Sequence, residues 1–202
     1  MKILKYEKKS NNNYKIYLDN DKVITINEDV ILKYKLLYKK EIDEFLLEEI
    51  LQDNNNYDIY NKCVKYIGVR LRSTNEIKEF MQRKNVDESL IEETIQKLKQ
   101  HKLLDDEIFT KAFIKDKLNF TTMGPYRIEQ ELKKHHIDSS IINKYIYDID
   151  YNFLEEKINK QIQKIIKSNK NKPNLKNKIY TNLINLGYSS ELIKDNLNKY
   201  NL

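Results

Sequence analysis

The chain has 202 residues, of which 40% are hydrophobic and 34% charged, enough apolar material for one large domain or two small ones. Only 3 glycines and 2 prolines occur, which argues against a turn-rich β-sandwich and favours long helices. The net charge of +6 suits an acidic partner, whether nucleic acid, an anionic membrane or an acidic protein groove, without choosing among them.

The N-terminal segment combines β-strand and helix signals. Residues 2–7, 14–18 and 23–26 mix β-formers with charged residues, and the cluster 19–21 (Asp-Asn-Asp) is typical of a turn. These patterns predict a small antiparallel sheet, with the asparagines 11–13 at a loop tip. Residues 28–37 and 41–51 are predicted to be helices. The asparagines 54–56 indicate a linker, so residues 1–55 form a predicted β-containing extension with two helices.

From about residue 57 onward the chain repeats itself with a period of 51 residues. Apolar residues recur at the same offset in three aligned segments without a gap, for example Ile77, Ile128 and Ile179, or Ile95, Ile146 and Leu197. Their three- and four-residue steps indicate one face of a helix. Further helices are predicted over 57–67, 106–118 and 151–167, so each repeat is a three-helix unit. The predicted repeats are 56–104, 105–150 and 151–202, and we expect them to stack into an elongated, curved array.

Helix boundaries recur with the same period. Before each third helix lies a residue able to cap free N–H groups: Asp87, Asp138 and Ser189. The residue that ends each middle helix should take a left-handed backbone. Asn85 and Gly187 suit that conformation, whereas His136, in the second copy, fits it less well. Ser73 to Glu76 has the spacing of a capping box, and Gly124-Pro125 places a proline in a first turn.

No residue cluster indicates catalysis, a metal or a cofactor. The histidines 101, 135 and 136 lie near predicted helix ends, and the acids 105–107 are better explained as helix-capping residues than as metal ligands. There is no glycine-rich nucleotide loop. The single cysteine, Cys63, is expected in the core and fits a reducing cytosol. Neither a signal peptide nor a membrane span is indicated, so the expected location is the cytoplasm.

Two basic clusters are candidates for partner contact. Residues 157–178 carry eight lysines and no acid, so the rest of the chain sums to −2. Four of these lysines follow one helix at three- and four-residue steps: Lys157, Lys160, Lys164 and Lys167. Three of the four arginines, Arg70, Arg72 and Arg127, lie near the start of a middle helix. The lysines form either a solvated face or a contact to phosphate or acidic protein. The arginines either bind a partner or brace one repeat against the next.

An ordered set of motifs on this repeat resembles the RecX family. The similarity runs from about residue 57 to the C-terminus, and extends weakly to the run 28–36. The sequence departs from the family pattern in the first helix, which is usually rich in alanine. It also has Lys84-Asn85 and His135-His136 where family members often have Lys-Gly. The motifs are Arg70-Leu71-Arg72-Ser73-x-x-Glu76-Ile77, Leu103-Leu104-Asp105-Asp106-x-x-Phe109 and Gly124-Pro125-Tyr126-Arg127-Ile128-x-x-Glu131-Leu132.

The resemblance implies a non-enzymatic regulator that binds the filament of the RecA recombinase and mostly inhibits it in recombination and DNA repair. It implies no cofactor and no membrane, and we expect a monomer with at most weak, non-specific DNA binding. A nucleic-acid-binding module of tandem helical units stays open as the alternative. Against it, the predicted third helices carry acids and contain no arginine, the residue that most often reads guanine. A scaffold for an unrelated partner is a third possibility.

Overall fold

The computed structural model describes residues 1–9, 12–169 and 174–200. This part of the chain is mainly helical, with ten α-helices and one small N-terminal sheet. It divides into two compact units. The first contains residues 1–71 and 77–103, and the second contains residues 72–76 and those from 104 onward. The predicted mainly helical class with an N-terminal sheet is confirmed.

The predicted N-terminal sheet is present and antiparallel, with strand order β1-β2-β3. The strands are β1 (Ile3–Lys9), β2 (Asn13–Leu18) and β3 (Val23–Asn27). Alternation places Ile16, Leu18 and Ile26 on the inner face, where all three are buried in the core of the first unit. The predicted loop tip falls partly on Asn11, which lies outside the described residues, while Asn13 already begins β2.

The predicted helix over 28–37 is shorter than expected. Helix α1 covers Glu28–Lys33, and a separate 3₁₀ turn covers Leu36–Tyr38. Between them Lys35 has a left-handed backbone with φ of 50°, which interrupts the α-helical hydrogen bonds. The interruption allows Leu36 to be buried in the core beside Ile31.

The predicted linker at residues 54–56 is wrong. A single 26-residue helix, α2 (Glu44–Val69), runs through it and joins the two helices predicted over 41–51 and 57–67. The reason is tertiary, because the Asn54 side chain pairs with the edge of β3. Its Oδ1 accepts from the Asn27 N–H at 2.8 Å and its Nδ2 donates to the Thr25 carbonyl. The predicted boundary at residue 55 therefore lies inside a helix, and the four predicted ranges otherwise stay predictions.

The helices after α2 follow the three predicted repeats. Each repeat has a first, a middle and a third helix, with the end of α2 serving as the first helix of the first repeat. The remaining helices are α3 (Thr74–Gln82), α4 (Glu88–Gln100), α5 (Asp106–Phe120), α6 (Pro125–Lys134), α7 (Ser139–Ile146), α8 (Tyr151–Ser168), α9 (Leu175–Leu186) and α10 (Ser190–Asn198). No helix in the described ranges is both long enough and apolar enough to cross a membrane.

The three middle helices end in the same way. The predicted residues Asn85, His136 and Gly187 all have positive φ, at 55°, 55° and 92°. In each copy the next N–H, from Val86, Ile137 or Tyr188, returns to a carbonyl five residues earlier, which is the hydrogen bond of a Schellman motif. The left-handed position is thus set by the repeat, and His136 adopts it although histidine is not favoured there.

Most predicted N-caps are also present. Asp138 and Ser189 accept backbone N–H groups at the starts of α7 and α10, whereas Asp87 stands at the cap position of α4 without a side-chain hydrogen bond. Ser73 and Glu76 bond reciprocally at 3.1 and 3.2 Å, as a capping box requires.

Candidate partner-binding surface

The lysine-rich segment forms the exposed face of α8, an amphipathic helix. Asp150 caps its start by accepting the Asn152 N–H at 2.8 Å. Ile158 and Ile162 are fully buried in the core of the second unit. Because an α-helix has about 3.6 residues per turn, the lysines on the opposite face of α8 point toward solvent. We call the exposed lysines Lys160, Lys164 and Lys167 the α8 basic face.

The α8 basic face is an uncompensated positive surface. Its three lysines line a shallow groove of about 480 Å³ together with Gln163 and Ser168. Within the described residues, none of the three ammonium groups has a carboxylate within 4.0 Å. Three like charges on successive turns attract an anionic surface over several ångströms.

Two other described lysines of the predicted cluster have partners of their own. The side chain of Lys178 donates to Asn169 Oδ1, and Lys176 also has a partner. Lys170 and Lys172 lie outside the described residues. Among the described residues, the candidate surface is therefore limited to the three lysines of the α8 basic face.

Lys157, which was predicted to belong to the partner-binding set, has a different environment. Its ammonium group donates to two backbone carbonyls, those of Leu118 and Thr121, where α5 ends. These are carbonyls left without partners by the end of the helix. Partial burial, followed by the charge of Lys160, lowers the pKa of Lys157. The geometry gives Lys157 a structural role, because its donors are already directed into the fold.

We expect replacement of Lys157 by methionine to reduce stability but not partner binding. Methionine keeps the length of the side chain and removes the charged donor, so the free energy of unfolding should fall by about 1–3 kcal/mol. Urea unfolding followed by circular dichroism measures the change. Unaltered stability would mean that the contact with the end of α5 contributes nothing.

The predicted arginines differ in exposure. The side chain of Arg72 is only 10% exposed and lies 3.6 Å from the carboxylate of Glu76, which also closes the capping box. Arg70 is exposed at the end of α2 and donates to the Leu71 carbonyl at 2.9 Å. Arg127 is exposed in the first turn of α6. Arg72 thus pairs within its own repeat, whereas Arg127 is accessible, and the two alternatives of partner binding and bracing between repeats both stay open.

Alanine substitution separates these roles. Arg72→Ala should lower the free energy of unfolding by about 1–3 kcal/mol, because it removes the ion pair with the largely buried Glu76 carboxylate. Arg70→Ala, at an exposed position of the same loop, should change it by less than about 0.5 kcal/mol. Thermal unfolding of both variants checks this, and equal effects would contradict the assigned difference.

The N-terminus of α6 contacts the C-terminus of α9 through backbone atoms. The Gly124 N–H donates to the Leu186 carbonyl at 2.7 Å, and the Tyr126 N–H donates to the Gly187 carbonyl at 3.0 Å. One period earlier, Ser73 Oγ donates to the His135 carbonyl at 3.4 Å. Ser73 and His135 lie 51 residues before Gly124 and Leu186, so the two contacts join equivalent positions of the repeat. The helix-end positions of Gly124 and Gly187 were predicted from the sequence, but no signal in it indicated that these two residues face each other.

Other polar groups are accounted for structurally. The hydroxyl of Tyr60 lies 2.6 Å from Nδ1 of His101, and the ring of His135 packs edge-on against Phe109 and Phe113. Asp105 caps α5. Cys63 is fully buried as expected, and burial raises its pKa to about 11. Across the described ranges, no three His, Cys, Asp or Glu side chains are grouped to hold a metal ion.

Sequence models of two domains match the chain where the first two repeats lie. The model described as the first three-helix domain of RecX matches residues 60–98, and the second three-helix domain of RecX matches residues 105–146. Both matches end near the end of a third helix, so the family's domain division agrees with the helices described above.

Whole-chain relatives and solved structures give the same result. The Regulatory protein RecX of Listeria monocytogenes serotype 4a (strain HCC23) is 31% identical, over 93% of this chain and 71% of the relative. That of Oceanobacillus iheyensis is 27% identical over the same shares. A crystal structure of regulatory protein RecX superposes with a TM-score of 0.82 at 25% identity, covering 96% of this chain and 98% of the other. RecX from Lactobacillus salivarius shares the fold, with a TM-score of 0.69 at 23% identity, over 73% and 97%. From its repeats, motifs and relatives together, the chain belongs to the RecX family of regulatory proteins.

Proposed function

We propose that this protein binds the filament of the RecA recombinase and limits its activity in recombination and DNA repair. In this proposal it acts in the cytoplasm as a monomer, without catalysis of its own. The α8 basic face carries the proposal, because it offers a binding surface and its charge has no internal compensation. Contact with an acidic surface lowers the free energy of such an exposed row of lysines, because no carboxylate of the described chain balances its charge.

Membership in a family of regulatory proteins supports the same function. A regulator needs a recognition surface rather than a reactive centre. The contacts found for His101, His135 and Cys63 are those of a folded scaffold, and Asp105 caps a helix. Recombinase filaments repeat along their length, so a protein built from repeated modules can contact successive subunits. Binding across subunits would hinder filament growth and, with it, ATP hydrolysis.

A nucleic-acid-binding module is the second candidate. It is favoured by a polar groove of about 750 Å³ beside the α8 basic face, lined by amide side chains such as Asn177, Asn182 and Asn185. Against it, cations of two third helices are already paired: Lys97 with Glu93, and Lys144 with Glu107. Helices that read DNA need such cations for phosphate contact.

One measurement separates the two candidates. We expect this protein to inhibit DNA-dependent ATP hydrolysis by the cognate recombinase at molar ratios too low to cover the DNA, because a bound regulator interrupts a whole filament. Hydrolysis is followed while protein is added to recombinase preassembled on single-stranded DNA. Inhibition that begins only when the DNA is saturated would instead support the nucleic-acid module.

A further inference from the structure

The second unit contains an apolar groove between α5, the end of α7 and the start of α8. Its volume is about 420 Å³, within the range of roughly 300–1,000 Å³ typical of binding pockets. Ile114 and Leu118 at its base belong to the hydrophobic core, and Tyr145 and Ile149 pack against that core. Phe153 completes the wall and is 36% exposed. The groove therefore exposes part of the core to solvent.

The two edges of this groove carry opposite charges. On the α5 side, Lys111 and Lys115 are exposed one turn apart, and within the described residues neither has a carboxylate within 4.0 Å. On the other side, Asp148 is exposed, whereas the Asp150 carboxylate already caps α8. The nearby Glu107 cannot neutralise the lysine edge fully, because it accepts from Lys144 and Tyr145.

The equivalent positions in the first unit do not form an apolar groove with charged edges. One period before Lys111 and Tyr145 lie Tyr60 and Thr94, which line a cavity of about 440 Å³. There the Tyr60 hydroxyl bonds with His101, and Lys97 pairs with Glu93. Several polar groups of that cavity are thus paired with one another, although the buried Asn56 Oδ1 has no hydrogen-bond partner among the described residues. An apolar floor beside lysines that lack a carboxylate partner among the described residues is a feature of the second repeat and is not imposed by the fold. The ammonium group of Lys111 lies 4.9 Å from the centre of the Tyr145 ring, in the wall of the groove.

We propose that this groove binds an apolar side chain of a partner protein, with an acidic residue beside that side chain pairing with Lys111 and Lys115. The inference rests on the proposed function, since the partner is taken to be a segment of the recombinase in its filament. An anchor residue in a pocket edged by charge is the usual arrangement of a protein–protein contact. Nucleic acid fits less well, because Asp148 would repel phosphate from the opposite edge.

Binding of variants to a recombinase filament tests the groove. The filament is assembled on single-stranded DNA with a non-hydrolysable ATP analogue, and the affinity is measured with the full chain. Asn119 lines the groove and is exposed, so Asn119→Trp fills it without disturbing the core, and we expect at least about a tenfold loss of affinity. Lys111→Glu with Lys115→Glu should weaken binding similarly and reduce its salt dependence.

A control variant with the same charge change, and a cross-link from the groove, test whether the effect is specific to the groove. Lys62→Glu with Lys65→Glu changes the charge equally on exposed positions of α2 and should leave affinity within about twofold of the parent. A photoreactive benzoylphenylalanine at position 119 should cross-link to the recombinase, and cross-linking to the DNA would overturn the inference. If the parent chain binds the filament and the groove variants bind equally well, the groove inference fails alone. If the parent does not bind, the proposed function fails and the inference with it. Melting temperatures near that of the parent exclude unfolding as the cause.

Discussion

Alanine at Gly124 or Gly187 should destabilise the second unit by about 2–4 kcal/mol. A Cβ at Gly124 would lie 2.5 Å from the Gly187 carbonyl oxygen, and one at Gly187 would lie 2.5 Å from the Arg127 amide nitrogen. Both obstacles are backbone atoms, so no side-chain rotation relieves the clash. Gly187 carries a further cost, because its φ of 92° is strained for any residue with a Cβ. Urea unfolding followed by far-ultraviolet circular dichroism measures the loss.

Gly68 supplies the control for this prediction. It lies in the last turn of α2, and a Cβ there would meet no atom within 4 Å. Gly68→Ala should therefore be neutral or stabilising by up to about 1 kcal/mol, since alanine restricts the unfolded chain and favours helix. If Gly124→Ala were tolerated as well as Gly68→Ala, the two middle helices could not approach as closely as the structure has them.

Reversing the charge of the α8 basic face should abolish most partner binding. With Lys160, Lys164 and Lys167 all replaced by glutamate, we expect about a hundredfold loss of affinity for the recombinase filament at low salt, if each reversal costs roughly 1 kcal/mol. The fold should persist, because all three side chains are exposed and lack ion-pair partners among the described residues. Equilibrium binding and a thermal melt of the same preparation check both statements.

Two further variants serve as controls for the α8 glutamate variant. A triple glutamine variant removes the charges without reversing them, and its affinity should fall between those of the parent and the glutamate variant. Glutamate at Lys62, Lys65 and Lys99 makes the same charge change on exposed positions of the first unit, and binding should survive it. Unchanged affinity of the α8 glutamate variant at low salt would remove these lysines from the interface. Equal losses of affinity in the α8 glutamate variant and the first-unit control would mean that only the net charge matters.

The sequence by itself determined the features that depend on local pattern. A period of 51 residues predicted the three helical repeats, and the strand signals predicted the sheet. The left-handed position after each middle helix was predictable because helix ends have a local chemistry. It holds even for His136, where the residue type alone argued less strongly.

Only the tertiary structure decided which side chains have partners. Asparagines at 54–56 are typical of a linker, yet Asn54 completes the edge of β3 and keeps α2 continuous. Lys157 and Lys160 look alike in sequence, but the first bonds the end of α5 and the second faces solvent. The close approach of Gly124 to Gly187 likewise depends on residues distant in the chain. Periodicity fixes which face of a helix is buried, whereas the partner of a polar group depends on the element packed against it.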